Sequence, residues 1–401
     1  MVEIADTAMV RRASVKDATT ARRAQLEPAS AEPLTPLAAV EASEWQALAD
    51  SAIEPNAYYL PGWELAVNAS VPGRTGALAL AARSDIRLIG LLPVVPMARA
   101  LKIPLPALVS AHPYGTLCTP LLTRMGAEDA AARLMEQARE AGARALLLRE
   151  VALDGAAMKT FKAVLRGEDI RPRVLHWHLR ACLNATRSAD ELLQDALSGK
   201  KLKDLRRQRH RLAEHGAVGF DVARTPQDVA AAIETFLKLE ASGWKGQRGT
   251  ALMQVEGDAT FIRSATATLA RTGQCEIVTL RAGKDPVASG IVLRHQGRAF
   301  FFKLGVDERF AKYSPGVQLT LELTRHLCAD PKITSADSTA SPDHPMINPI
   351  WRGRFAIGDA LIPLRRNDPV VALIHAALVT RQSALAWARS GLRTIRGRRK
   401  R

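Results

Sequence analysis

The sequence predicts an α+β protein made of mixed, largely antiparallel sheets flanked by helices, and three observations carry that prediction. The chain has 401 residues, beyond the roughly 250–300 at which one hydrophobic core stops growing, so two domains are expected. The strand-like runs 275–282, 287–295 and 298–304 are joined only by Gly283-Lys284-Asp285 and Gln296-Gly297. Connections that short force antiparallel neighbours, hence a meander. A helix pattern from Pro315 and a short apolar run near residue 335 follow, adding one β-α-β crossover.

Taken in order, residues 1–35 are rich in Ala, Thr, Arg and Glu without periodicity, and read as a disordered leader. Residues 36–185 form the first expected domain. Strands at 77–82 and 86–95 flank Arg83-Ser84-Asp85, a helix spans 127–141, and a strand spans 144–150. Residues 174–183 then alternate apolar and polar side chains as a half-buried strand does. Residues 186–366 form the second domain. It opens with one helix over 188–215 carrying Leu202, Leu205 and Leu212 on one stripe. A strand at 218–222 follows, then a helix capped by Thr225 with Pro226 at its first position. The meander, the Pro315 helix, a strand at 333–337 and a final strand at 356–363 complete it. Residues 367–401 read as a basic amphipathic helix and tail, with Ile374, Leu378, Leu385, Ala388, Leu392 and Ile395 on its apolar seam.

Apolar residues make up 47% and charged residues 24% of the chain, the composition of a folded globular protein. The net charge of +16 is concentrated. Residues 381–401 hold eight bases and no acid, and 198–215 hold seven bases against Asp204 and Glu214, which leaves +3 for the rest. Two local basic helices on a nearly neutral body argue against a groove that binds DNA. Cys118, Cys182, Cys275 and Cys328 lie more than fifty residues apart, so neither a zinc site nor a disulfide framework is expected. No apolar run near the N-terminus matches a signal peptide, and the most apolar stretches, 88–97 and 370–379, are too short to span a bilayer. A cytosolic protein is expected, with peripheral contact at the inner face of the membrane through the basic C-terminal helix.

The fragment Ser314-Pro315-Gly316-Val317-Gln318 sits where the third meander strand hands over to a helix. Ser314 can cap, Pro315 suits the first helical position, and Gly316 allows close approach. A helix start of this kind presents unpaired amides and positive dipole to a phosphate.

Four segments around that fragment, LSGKKLKDLRRQRHRLAEHG (197–216), LEASGWKGQRGTAL (239–252), FFKLGVDERFAKYSPGVQL (301–319) and DSTASPDHPMINPIWRGR (337–354), with GLLPVVP (90–96) more weakly, carry a resemblance. Together they resemble the GNAT-superfamily acyltransferases of the CelD type, associated with cellulose and exopolysaccharide synthesis and related to the FemAB peptidyltransferases. The resemblance covers about residues 40–366 and implies tandem GNAT-like (acyl-CoA N-acyltransferase) domains. It implies that Ser314, Gly316 and Val317, with Lys312 beside them, hold the pyrophosphate of acetyl-CoA or another acyl-CoA. It also implies that the backbone of Leu304, Gly305 and Val306 meets the thioester. The glycine content departs from the family's phosphate motif, since only Gly316 is present here.

Attack on a thioester by an amine or hydroxyl releases a proton, so a carboxylate or imidazole must lie within reach. Asp337, Asp343, His344 and Glu240 are the candidates, each also readable as an ordinary turn or core residue. Tyr313 is a candidate acid toward the leaving thiolate. Trp244, Lys245, Lys303 and Trp351 are candidates for the acceptor pocket, the tryptophans equally as core. No metal is expected.

The expected activity is N- or O-acyl transfer, most simply of acetyl, from CoA to a small-molecule or glycan acceptor linked to cell-surface polysaccharide synthesis. FemAB-type transfer from aminoacyl-tRNA is the rival enzyme reading, and a silent scaffold of a polysaccharide-synthesis complex is the rival from another class. The basic run Lys200–Arg211 reads as a solvated face, as a partner of CoA phosphates or a polyanionic acceptor, or as a tRNA contact.

Overall fold

The structure, a computed structural model, describes residues 34–398, with the side chains of 244, 245, 386 and 388–398 outside that description. The predicted leader therefore lies, but for Leu34 and Thr35, outside the described residues. The first half runs β1 (Thr35–Pro36), α1 (Ala42–Asp50), α2 (Pro61–Ser70), β2 (Leu78–Ser84), β3 (Arg87–Pro96), β4 (Ala107–Ser110), β5 (Leu121–Leu122), α3 (Ala127–Glu140), β6 (Ala145–Ala152), α4 (Ala156–Gly167) and β7 (Arg173–Asn184). The second half runs α5 (Ala189–Ala196), α6 (Gly199–Leu212), β8 (Val218–Ala223), α7 (Pro226–Ser242), α8 (Glu256–Arg271), β9 (Cys275–Ala282), β10 (Asp285–His295), β11 (Arg298–Val306), α9 (Pro315–Cys328), β12 (Ser335–Asp337), β13 (Gly353–Pro363) and α10 (Pro369–Arg398).

The strands form one mixed sheet in the order β1-β2-β3-β4-β6-β13-β7-β12-β11-β10-β9-β8, with β5 on β3. Only β4–β6 and β11–β12 are parallel. The meander β9–β10–β11 is antiparallel as its short turns require, and Gly283 at φ +60° supplies the left-handed residue of the first turn.

The halves complete each other's sheet. Strand β13, which sequence order assigns to the second half, pairs with β6 of the first, while β7 pairs with β12 of the second. Local pattern cannot reveal such pairing, because the partners lie from 151 (Asn184 to Ser335) to 218 residues (Ala145 to Pro363) apart. The expected single helix over 188–215 is two helices. Leu197 is extended, and the Ser198 hydroxyl accepts from the Lys201 amide at 3.3 Å, starting α6 afresh. Thr225 caps α7 as expected, its hydroxyl accepting from the Asp228 amide at 3.2 Å.

Three cores result. The first joins both halves across α2 and α8, packing Trp45, Trp63 and Phe161 with Phe236, Phe261 and Phe300. A second packs Leu205, Leu212, Phe301, Phe310, Leu319 and Trp351 under α6 and α9. The third seats Val371, Ile374 and Leu378 of α10 against Leu147 and Leu361. The four cysteines are free thiols. No described helix is long and apolar enough to cross a membrane.

Candidate active site

Strands β11 and β12 run in register only from Arg298–Ser335 to Phe300–Asp337. Strand β12 then ends while β11 continues to Val306, so the two part. The gap is a cleft of about 350 Å³ lined by Phe301 to Leu304 and Val306 on one side, and by Ser338, Thr339, Ala340, His344, Met346 and Ile347 on the other. Its floor is closed by Thr339, whose hydroxyl donates to the Phe301 carbonyl at 2.6 Å. A bulge in β11 opposite Ile291 and Val292 displaces Phe302 from the ladder and turns this stretch toward the cleft.

Helix α9 ends against the same cleft. A Cβ on Gly316 would lie 3.0 Å from Leu304 Cδ2 and 3.3 Å from both Met346 Sδ and Val306 Cγ1, three side chains of the cleft wall. Ser314 starts the helix differently from the expectation. Its carbonyl accepts from the Gln318 amide at 3.0 Å and so opens the helix, but its backbone is left-handed at φ +53° in place of the extended conformation a capping side chain needs, and the hydroxyl makes no capping hydrogen bond. The first turn of α9 holds no acid, so its amides keep their attraction for an anion.

The corresponding helix start in the first half is acidic. Helix α3 carries Glu128 and Asp129 in its first turn, which repel an anion there. Beside β6, the Ser110 hydroxyl accepts from the Arg149 amide at 2.9 Å and the Cys118 amide donates to the Glu150 carbonyl at 3.1 Å. Of these two helix starts, the acid-free one is in the second half.

On the other side of β11, Gly305 lets α7 come close, since a Cβ there would meet the Glu240 amide nitrogen at 3.0 Å. Glu240 is buried, accepts from the Leu252 amide at 3.0 Å, and lies 3.5 Å from the Lys303 ammonium. Lys303 also lies over the rings of Phe302 and Tyr114. Tyr114 comes from the first half and donates to Asp258 at 2.6 Å. Burial, then the Asp258 carboxylate, pushes its hydroxyl pKa upward.

The sequence candidates separate on this geometry. Lys303, Leu304, Val306 and His344 line the cleft, Gly305 and Gly316 set its walls, and Glu240 stands beside Lys303. Burial pulls the His344 pKa down, and its Nδ1 faces the Met346 and Ile347 amides at 3.3 and 3.5 Å. The neutral ring therefore keeps its proton on Nε2. Ser314 and Val317 stand at the half-buried turn behind Met346. Lys312 is exposed over the Tyr313 ring, and Asp343 is exposed on the loop. Trp244 and Lys245 form the short helix after α7; their side chains lie outside the described residues.

Three candidates are placed elsewhere. Asp337 is buried on β12 and held by Arg180 at 3.4 Å and by the Thr339 amide at 2.7 Å, so its oxygens support the floor of the cleft instead of facing it. The Tyr313 hydroxyl is 2.8 Å from His215 Nε2 in the second core. Trp351 is fully buried there, its indole donating to Thr324 at 2.9 Å. The sequence reading passed over Ser338, Thr339 and Met346, although they sit inside a motif that was singled out. Small and apolar residues carry no titratable signal. Arg180 was missed because its partners are distant in sequence.

This mixed sheet flanked by helices is a GNAT fold. Residues 199–344 match the family model described as an acetyltransferase (GNAT) domain, so the second half of the chain carries such a domain. No curated protein matches the chain. Among solved structures, FemX is similar over 84% of this chain and 98% of its own, at 12% identity and a TM-score of 0.54. The C-terminal domain of a putative lysylphosphatidylglycerol synthetase from Agrobacterium fabrum is similar over 84% and 95%, at 14% and 0.51. A conserved protein of unknown function from Bacteroides thetaiotaomicron is similar over 81% and 98%, at 11% and 0.52. At these identities the likeness is one of fold. Among the described residues no three His, Cys, Asp or Glu side chains converge as a metal site.

Proposed function

We propose that the chain transfers an acyl group, most simply acetyl, from a CoA thioester to an amine or hydroxyl. The observation that carries this is the parting of β11 from β12 in a cleft whose wall residues Leu304, Val306 and Met346 pack on Gly316 in the acid-free first turn of α9. A diphosphate would sit at the amides of Gly316 and Val317, once Met346 moves aside, and the thioester would lie along the edge of β11. Donors on that edge would stabilise the developing oxyanion. The acceptor would enter from the side of Lys303, Glu240 and Tyr114, with Glu240 taking the proton lost on attack. When the carbon–sulfur bond breaks, the neutral His344 Nε2–H would donate a hydrogen bond to the departing thiolate, which takes its proton from solvent while Glu240 returns the proton it accepted to solvent. The CelD-like motifs support a cell-surface glycan or its precursor as acceptor.

One observation favours a second reading. Helix α6, with exposed Lys200, Lys201, Lys203, Arg206 and Arg211, lies directly against α9, where the Gln318 side chain donates to the Leu205 carbonyl at 2.8 Å. A basic surface beside the donor seat suits a larger polyanionic donor such as aminoacyl-tRNA, and the fold is shared with FemX. Calorimetric titration with acetyl-CoA, free CoA and an aminoacyl-tRNA separates the readings. The first predicts binding of both CoA species. The second predicts tRNA binding that weakens steeply with salt, and binding of none supports a scaffold.

A further inference from the structure

We infer that the outer part of α10 is a docking surface for an anionic lipid bilayer. The helix divides into two stretches. Val371, Ile374 and Leu378 are buried in the third core with Met97, Leu101, Leu147 and Leu361, which fixes the first three turns to the body. Beyond them, Val379 and Leu385 are each 41% and Trp387 81% exposed. Thirty residues of helix span about 45 Å, and the anchoring residues occupy roughly the first 15 Å. The next turns still border the body, since Arg381, Gln382 and Leu385 line a cavity with Leu147, Arg149 and Glu150, and the thirteen residues after Leu385 span about 20 Å more.

Charge selects the partner. From Pro369 to Arg401 the chain contains no carboxylate, and from Arg381 onward it contains eight bases. A protein groove or a second copy of this chain would need acids to match that density, and α10 itself has none to offer to its copy. An anionic bilayer matches it, and an indole close to such a basic run suits the headgroup boundary, where an aromatic ring places its apolar face in lipid and its N–H in water. This inference goes beyond acyl transfer and does not depend on which donor the cleft accepts.

Co-sedimentation of the full chain with vesicles of phosphatidylcholine alone, and of phosphatidylcholine mixed with phosphatidylglycerol, tests it. The mixed vesicles are expected to bind and the neutral ones not, with binding lost in high salt. Changing Arg389, Arg393 and Arg396 to Gln should weaken binding about fivefold per charge removed. Trp387→Ala should weaken it at unchanged salt sensitivity. Changing Lys200, Lys201 and Arg206 to Gln should leave it unaltered. Equal binding to both vesicles, no binding to either, or loss of binding only with the α6 substitutions overturns the inference. So does a stable dimer in analytical ultracentrifugation that dissociates with Trp387→Ala while vesicles stay unbound.

Discussion

Replacing Arg180 by Met should destabilise the fold by about 3–5 kcal/mol, the cost of breaking a buried ion pair by removing one partner. The reasoning starts from burial: Arg180 and Asp337 are each 1% exposed. The guanidinium on β7 bridges the halves, with Nη1 3.4 Å from Asp337 and Nη2 2.9 Å from Glu150. Without it, Asp337 keeps only the Thr339 amide for a buried negative charge. Glu150 is less buried, and burial already pushes its pKa up against the pull of Arg180, so it contributes the smaller share. Met preserves the apolar stem. The double variant Arg180→Met/Asp337→Asn removes both charges and should lose about 1–3 kcal/mol less than the sum of the single variants. Urea unfolding followed by tryptophan fluorescence reads these differences. A loss below about 1 kcal/mol for Arg180→Met, or strict additivity in the double variant, would refute the claim that this pair ties the halves together beneath the cleft.

Other expectations concern the core and the donor seat. Glu64 is buried with Oε2 unpartnered among the described residues, and burial holds its pKa well above the usual 4.5. Its contribution is therefore fully present below about pH 4.5 and fades as pH rises through the elevated value. Glu64→Gln should be the more stable protein at about pH 8, which urea midpoints across pH will show. His295 on β10 accepts from the Asn56 amide at 2.9 Å and lies 3.0 Å from the Ala49 carbonyl, and burial lowers its pKa. Stability should fall as pH drops below about 6.5, where the unfolded imidazole takes a proton first, and His295→Gln should flatten that slope in the same assay. Gly316→Ala would press on Leu304, Met346 and Val306 and should weaken CoA binding about tenfold in calorimetry, at a cost of about 1–3 kcal/mol in urea unfolding. Unchanged affinity would show that the donor sits elsewhere.

Much of this was legible because local chemistry fixes local structure. The pairs Gly283-Lys284 and Gln296-Gly297 forced the meander, Thr225 and Pro226 marked the start of α7, and Pro315 the start of α9. The cleft wall at Leu304 and Val306 came from the resemblance to the GNAT acyltransferases and not from local chemistry. Long-range pairing was not legible: the exchange of β7 and β13 between the halves, and the Arg180 to Asp337 contact across 157 positions, leave no periodic trace. The same blindness explains the displaced candidates. A carboxylate at a strand end looks catalytic until a guanidinium from another strand occupies it, and an indole such as Trp351 looks like a platform until two helices cover it.

The most direct measurement is hydrogen–deuterium exchange of peptides spanning 301–319, with and without acetyl-CoA. Protection concentrated at the amides of Gly316 and Val317 and along the β11 edge up to Val306 is expected, with the equivalent segment around Gly126 unchanged. Binding of acetyl-CoA without protection of 301–319, or with protection confined to another part of the chain, would contradict the placement of the donor at this strand and helix.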